Sequence, residues 1–322
     1  MEKEPKIVVL DGYTLNPGDL SWAPLAALGE LAVYDRTSAA EAAGRALDAD
    51  ILLVNKVRLD AALLDRLPNL KCVCVLATGF NNIDTCKAKS RDIPVCNVKG
   101  YGSASVAQHV FAMMLAMVNG IADHNRSVQA GGWAAQPDFC YTLFPVTELA
   151  GKTLGIYGLG QIGRQVARLG LAFDMEVIAV HKHPERDAME GVAFVDLEAL
   201  FSRSDFLTLH APLTAENEGL VNTARLSTMK PSARLINTSR GGLIREGDLK
   251  AALLSGKIAG AALDVLSAEP PPADHPLMGV DNCLITPHMA WASLEARRRL
   301  LEETVENVKA FLGGNARNNV AV

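Results

Sequence analysis

The chain is predicted to fold as α/β: two doubly wound parallel-sheet domains, each with helices on both faces of its sheet. Three observations lead there. Short β-branched runs alternate with Ala- and Leu-rich helical stretches, and this alternation occurs in two separate series. A length of 322 residues suits two domains, and 49% apolar content supplies two cores. A glycine-rich loop joins a strand to a helix at the head of the second series.

In the first series, residues 7–10, 32–34, 51–54, 72–76 and 95–98 read as strands, with helical stretches such as 61–67 between them. Residues 106–118 follow as a helix. Ser105 and Gln108 stand in the Ser-x-x-Gln spacing of a capping box at its start. Its apolar residues run all round the helix, which points to burial between domains or subunits. Met113, Met114 and Met117 are read as core or dimer packing in preference to a ligand groove. The second series has strands at 154–157, 177–180, 206–209, 235–236, 261–263 and 283–285. The last helix places Leu301, Val305, Val308 and Leu312 on one apolar face that must dock, while Arg297 to Arg299 at its start are read as a solvated face.

Charge and composition exclude several function classes. Thirty-one Lys plus Arg against 36 Asp plus Glu give a net charge of −5, so neither nucleic acid nor an acidic membrane is expected to be recognised through bulk electrostatics. The charged start, Met1 to Pro5, runs straight into a strand, so no secretory signal is expected. The longest near-continuous apolar run, 110–118, is too short for a membrane span. The expectation is a soluble cytoplasmic protein. Four of the six cysteines (Cys72, Cys74, Cys96, Cys283) fall in strand-like runs and none forms a CxxC, which favours buried reduced thiols over disulfides or zinc.

Gly158-Leu-Gly160-Gln161-Ile162-Gly163 follows an apolar strand and opens a helix that returns to a second strand. In such a unit the first glycine permits the turn, the second admits a pyrophosphate, and the third packs helix on strand. The free N–H groups of the helix start face the anion. A dinucleotide cofactor is therefore expected. Eighteen residues after Gly163, where a carboxylate would bind a ribose hydroxyl, the chain reads His181-Lys182-His183. A carboxylate would repel a 2′-phosphate, whereas Lys182 and a protonated His181 would attract one, so the cofactor is NAD or NADP with a lean to NADP.

Three segments place an ionisable group just after a strand: Arg240 in Asn237-Thr238-Ser-Arg-Gly241, Asp264 and Glu269 in the next, and His288 after Pro287. An Arg, a carboxylate and a His are the parts that reduce a 2-keto acid. In order and spacing these segments and the glycine loop resemble the D-isomer-specific 2-hydroxyacid dehydrogenases, across essentially the whole chain. Glu269-Pro-Pro-Pro272 and His288-Met-Ala-Trp-Ala292 are similar to the glycerate dehydrogenase or hydroxypyruvate reductase branch.

The resemblance implies a discontinuous, flavodoxin-like substrate domain (1–101 and 291–322) around a Rossmann coenzyme domain (102–290), and a homodimer built around the 106–118 helix. It implies that Arg240 binds the substrate carboxylate and polarises the ketone, that His288 donates the proton, and that Glu269 favours the imidazolium and fixes its tautomer. It further implies that Asp264 bonds the nicotinamide carboxamide, and that Pro212 and Thr238 line the cofactor. Thr78 and Gly79, whose loop offers backbone N–H groups, and Lys56 would hold the substrate carboxylate. The family often has Glu where Gln108 stands. The implied reaction reduces hydroxypyruvate to D-glycerate. Two alternatives are a nicotinamide-sensing co-repressor-like protein, which would need a partner surface or disordered extensions, and 3-phosphoglycerate oxidation, which would need extra cations near the pocket.

Overall fold

Consecutive apolar residues with no polar alternation must be covered on both sides, and runs such as Ile51–Val54 and Cys72–Val75 are strands buried along their whole length. The computed structural model describes residues 4–321; Met1 to Lys3, the first residues of the charged start, and Val322 lie outside the described residues. Two compact units emerge. One runs to Gly102 and resumes at Ala292; the other is Ser103–Trp291.

The first unit alternates β1 (Lys6–Val9), α1 (Ala23–Ala26), β2 (Glu30–Val33), α2 (Ala39–Ala46), β3 (Ile51–Val54), α3 (Ala61–Asp65), β4 (Cys72–Val75), α4 (Thr85–Lys89) and β5 (Val95–Cys96). The strands pair in parallel in the order β2-β1-β3-β4-β5, the flavodoxin-like order, which reverses direction between β1 and β3. Side chains start the helices. Asp60 and Asp84 accept from the N–H groups of Leu63 and Lys87 at 2.9 and 2.8 Å. A capping arrangement that the sequence reading passed over opens α2, where the Glu41 carboxylate accepts from the Ser38 N–H at 2.9 Å.

The second unit begins with α5 (Ser103–Asn119) and α6 (Ile121–Gln129). Next come β6 (Thr153–Tyr157), α7 (Gln161–Ala172), β7 (Glu176–Val180), β8 (Val192–Phe194), α8 (Leu197–Arg203) and β9 (Phe206–Leu209). It ends with α9 (Thr223–Thr228), β10 (Arg234–Asn237), α10 (Glu246–Leu254), β11 (Gly260–Leu263) and β12 (Cys283–Ile285). Its seven strands are all parallel, in the Rossmann order β12-β11-β10-β9-β6-β7-β8, with the reversal between β6 and β9. The chain then returns to the first unit as α11 (Leu294–Leu312), which buries Leu301, Val305 and Val308 and leaves Leu312 exposed.

Three expectations are corrected. Strand β8 was not anticipated: it is a three-residue edge strand, paired on one side only and half-exposed. Ser105 does not cap the long helix, which starts two residues earlier; its hydroxyl donates instead to Ala290 O at 2.6 Å. Arg297 does not lie on a solvated face. It is buried, forks onto Asp19 at 2.7 and 2.6 Å and donates to Leu15 O and Ala292 O at 3.0 Å each. The cysteines are all free thiols; Cys72, Cys74 and Cys96 are buried, and burial pushes the half-buried Cys283 up to about 11. Among the described residues no single helix is long and apolar enough to cross a membrane.

Candidate active site

In an open parallel sheet the chemistry gathers beyond the carboxyl ends of the strands. At the end of β10, Asn237 folds the turn that follows: its Oδ1 accepts from the Ser239 N–H at 2.9 Å and its Nδ2 donates to Arg240 O at 2.8 Å. Ser239 Oγ donates to Ala211 O at 2.6 Å, which ties the turn to the chain leaving β9. At Gly241 a Cβ would stand 2.0 Å from the carbonyl carbon of Leu266. The turn carrying Arg240 is therefore pressed against the loop that follows β11. Arg240 itself is half-buried, with one guanidinium N–H donating to Ser239 O at 2.7 Å.

That loop carries Glu269. Its Oε1 accepts from the Leu266 N–H at 3.1 Å, and its Oε2 accepts from His288 Nδ1–H at 2.6 Å. The second bond fixes the imidazole's tautomer and rotation and leaves Nε2 for a substrate. Both side chains stay about a third exposed, at 33% and 28%. The loop is secured by Glu246, at the start of α10, which accepts from Ser267 N–H, Ser267 Oγ–H and His275 Nε2–H at 2.8, 2.6 and 3.1 Å. Sequence reasoning missed Glu246 and His275 because neither ends a strand.

His288 follows β12 with φ of +51°, a left-handed backbone that is strained for a non-glycine residue. Asp264, 1% exposed, sustains it. Its Oδ1 accepts from Thr286 Oγ1–H at 2.6 Å and the Met289 N–H at 2.9 Å, and its Oδ2 accepts from the Ala290 N–H at 2.9 Å. These contacts join Asp264 to the backbone and hydroxyl of the His288 loop.

The glycine loop fits a dinucleotide. Gly158 has φ of +98°, and a Cβ on it would lie 2.7 Å from Ala211 N; a Cβ on Gly163 would lie 2.2 Å from Gly158 O. Space around Gly160 is open, and as the N-cap of α7 it offers no side chain, so the N–H groups of Gln161 and Ile162 are left for an anion. The buried hydroxyl of Thr238 has no hydrogen-bond partner, as a position awaiting a ligand would. Pro212 is exposed in the chain leaving β9. His210 in that segment is half-buried, 2.9 Å from Thr208 Oγ1, and burial pushes it down to about 3, so it stays neutral.

At the end of β7 stands His181. Both nitrogens of His181 are engaged: Nδ1 accepts from the Leu159 N–H at 3.2 Å and Nε2–H donates to Asp187 at 2.8 Å. It braces the glycine loop. Lys182 remains exposed. Arg186 and then His181 hold the Asp187 carboxyl well below the usual carboxylate range.

In the first unit the predicted substrate-binding residues sit at strand ends. Thr78 and Gly79 follow β4; the Thr78 hydroxyl donates to Val98 O at 2.7 Å, and Asn97 Nδ2 donates to Thr78 O at 2.7 Å. Lys56 is exposed after β3. Its N–H and those of Asn55 and Val57 converge on the Asp11 carboxylate at 2.5, 2.7 and 2.9 Å. Asp11 also went unread, although a carboxylate just past an apolar strand is the signal that would have found it.

A Rossmann unit with an Arg turn, a Glu–His pair and a dinucleotide loop defines a nicotinamide-dependent oxidoreductase site. The sequence profile of the D-isomer specific 2-hydroxyacid dehydrogenase NAD binding domain matches residues 111–290. A hydroxypyruvate reductase of Blautia hydrogenotrophica is 46% identical over 98% of this chain and 99% of its own length. A glycerate dehydrogenase of Methylorubrum extorquens is 40% identical over 84% and 85%. Among solved structures, an acyclic imino acid reductase in complex with NADPH and D-Arg superposes with a TM-score of 0.87 at 33% identity, covering 98% of this chain and 99% of that one. The chain belongs to the D-isomer-specific 2-hydroxyacid dehydrogenase family and is an NAD(P)-dependent oxidoreductase.

Proposed function

We propose that the chain reduces hydroxypyruvate to D-glycerate with NAD(P)H. The full-length likeness to a hydroxypyruvate reductase, at 46% identity, carries this reading. The bound reduced nicotinamide supplies a hydride to the ketone carbon. Gly158, Gly160, Gln161, Ile162 and Gly163 hold its pyrophosphate, with Pro212 and Thr238 alongside. Arg240, permanently protonated, draws the substrate carboxylate and the ketone oxygen, where negative charge grows. His288 gives the proton from Nε2 to that oxygen, and Glu269, bonded at Nδ1, stabilises the imidazolium before transfer. Thr78, Gly79 and Lys56 have a substrate-binding role, supported by their places at strand ends of the first unit.

NADPH is accepted at least as well as NADH, because Lys182 is exposed after β7 and no carboxylate stands at 181–183. A second copy of the chain covers exposed apolar side chains of the second unit, among them Ile121, Trp133, Phe139 and Val146, at 68%, 52%, 88% and 51% exposed. The decisive assay follows NADH and NADPH absorbance with hydroxypyruvate, glyoxylate, pyruvate and 3-phosphohydroxypyruvate, for wild type and His288→Ala. Hydroxypyruvate is expected to be the best substrate, and His288→Ala to lose about a thousandfold in kcat/KM at neutral pH. Wild-type kcat/KM in that variant across the pH range removes the proposed acid; a hundredfold preference for NADH removes the cofactor assignment.

A further inference from the structure

The loop that carries His288 is gripped at both ends by one helix. Ser105 and His109 lie four residues apart on α5, hence on one face. Ser105 Oγ donates to Ala290 O at 2.6 Å, two residues after His288. His109 Nε2 lies 3.0 Å from Thr286 Oγ1, two residues before it. The Thr286 hydroxyl gives its proton to Asp264 Oδ1 at 2.6 Å, so toward His109 that oxygen accepts and the ring nitrogen donates. Ala290 N–H on Asp264 Oδ2, at 2.9 Å, closes the circuit, and the Thr286 N–H is fixed to Leu263 O at 2.9 Å.

At the centre of this bracket stands His288, with its φ of +51°. A residue in that conformation persists only where its surroundings over-determine it. Helix α5 suits the task, because Val110, Met113 and Met114 anchor it in the core of the same unit. The side chain of His109 is only 16% exposed, and its Nε2 is engaged toward Thr286 and lies 3.5 Å from Asp264 Oδ1, so it is not itself a donor to substrate.

We infer that Ser105 and His109 are positioning residues for the reduction: through Ala290, Thr286 and Asp264 they set the backbone of His288, so that α5 aims the proton donor. The inference rests on His288 being the acid. The test uses the full chain with hydroxypyruvate and NADH. His109→Phe keeps a ring and removes the donor; kcat is expected to fall about tenfold while KM for both substrates stays within about twofold. His109→Gln restores an N–H donor and is expected to recover to within about threefold of wild type.

In a His288→Asn background, where no acid remains to be aimed, His109→Phe is expected to change the residual kcat by less than about twofold. A purely structural role would repeat the tenfold loss there and overturns the inference. Should His109→Phe fail to fold, Ser105→Ala removes a single hydroxyl at the other end and is expected to lower kcat about threefold at constant KM. Wild-type kcat in Ser105→Ala and in any folded His109→Phe, with His288→Asn inactive, overturns the positioning role and leaves His288 in place. Full turnover of His288→Asn overturns the acid assignment beneath it.

Discussion

Asp11 in the first unit and Asp264 in the second organise their neighbouring loops by the same device at different depths. Each follows one strand and collects donors from the loop after the adjacent strand, β3 for Asp11 and β12 for Asp264. Asp11 is partly open to water; Asp264 is not. Where water can replace a lost acceptor the loop survives its removal, and where it cannot the donors stay unsatisfied. The loop bearing His288, the proposed proton donor, is thus held more stiffly than the loop bearing Lys56.

Asp264→Ala should show the largest effect. It leaves two N–H groups and a hydroxyl without their acceptor, at about 1–3 kcal/mol each, so unfolding free energy should fall by roughly 3 kcal/mol or more and kcat by about a hundredfold. Urea titration and steady-state kinetics read both; an equal loss in Asp11→Ala breaks the comparison.

His210 offers the converse case, an ionisable group half-buried with no charged partner. Its folded value of about 3 lies below the ordinary 6.5, so the unfolded chain binds the proton more readily. Its contribution is intact above pH 6.5 and is lost as pH falls from there toward 3, reaching about 2 kcal/mol near pH 5. His210→Gln should flatten that stretch of the stability profile in urea titrations, and an unchanged slope would show that other groups carry it.

Asp11→Ala should have the smallest effect, about 1 kcal/mol in stability with KM for the keto acid raised about threefold and kcat nearly unchanged. A fall in kcat as large as that of Asp264→Ala would mean that exposure does not separate the two sites.

The fold was legible wherever burial leaves a local mark. Ile51–Val54 and Cys72–Val75 announce strands because covering both faces demands unbroken apolar runs. Val192–Phe194 did not, since an edge strand needs neither length nor full burial. In the site, Glu269 and His288 could be read because each stands beyond a strand in a recognisable segment. Partners that meet through space could not: Arg297 looks solvated until Asp19, 278 residues away, closes on its fork. Ser105 looks like a cap because its spacing to Gln108 is right, yet only the helix start at Ser103 decides which residue caps. His181 was weighed against an absent carboxylate when its partner, Asp187, stood six residues further on.

The missing side chain at position 241 has a mechanical consequence. With the Leu266 peptide seated where even a methyl would stand, the turn of Arg240 and the loop of Glu269 are in hard contact, like two gears without clearance. A displacement of one is transmitted to the other, so the cation that would grip the substrate and the carboxylate that steadies the imidazole travel together and keep their alignment while either moves.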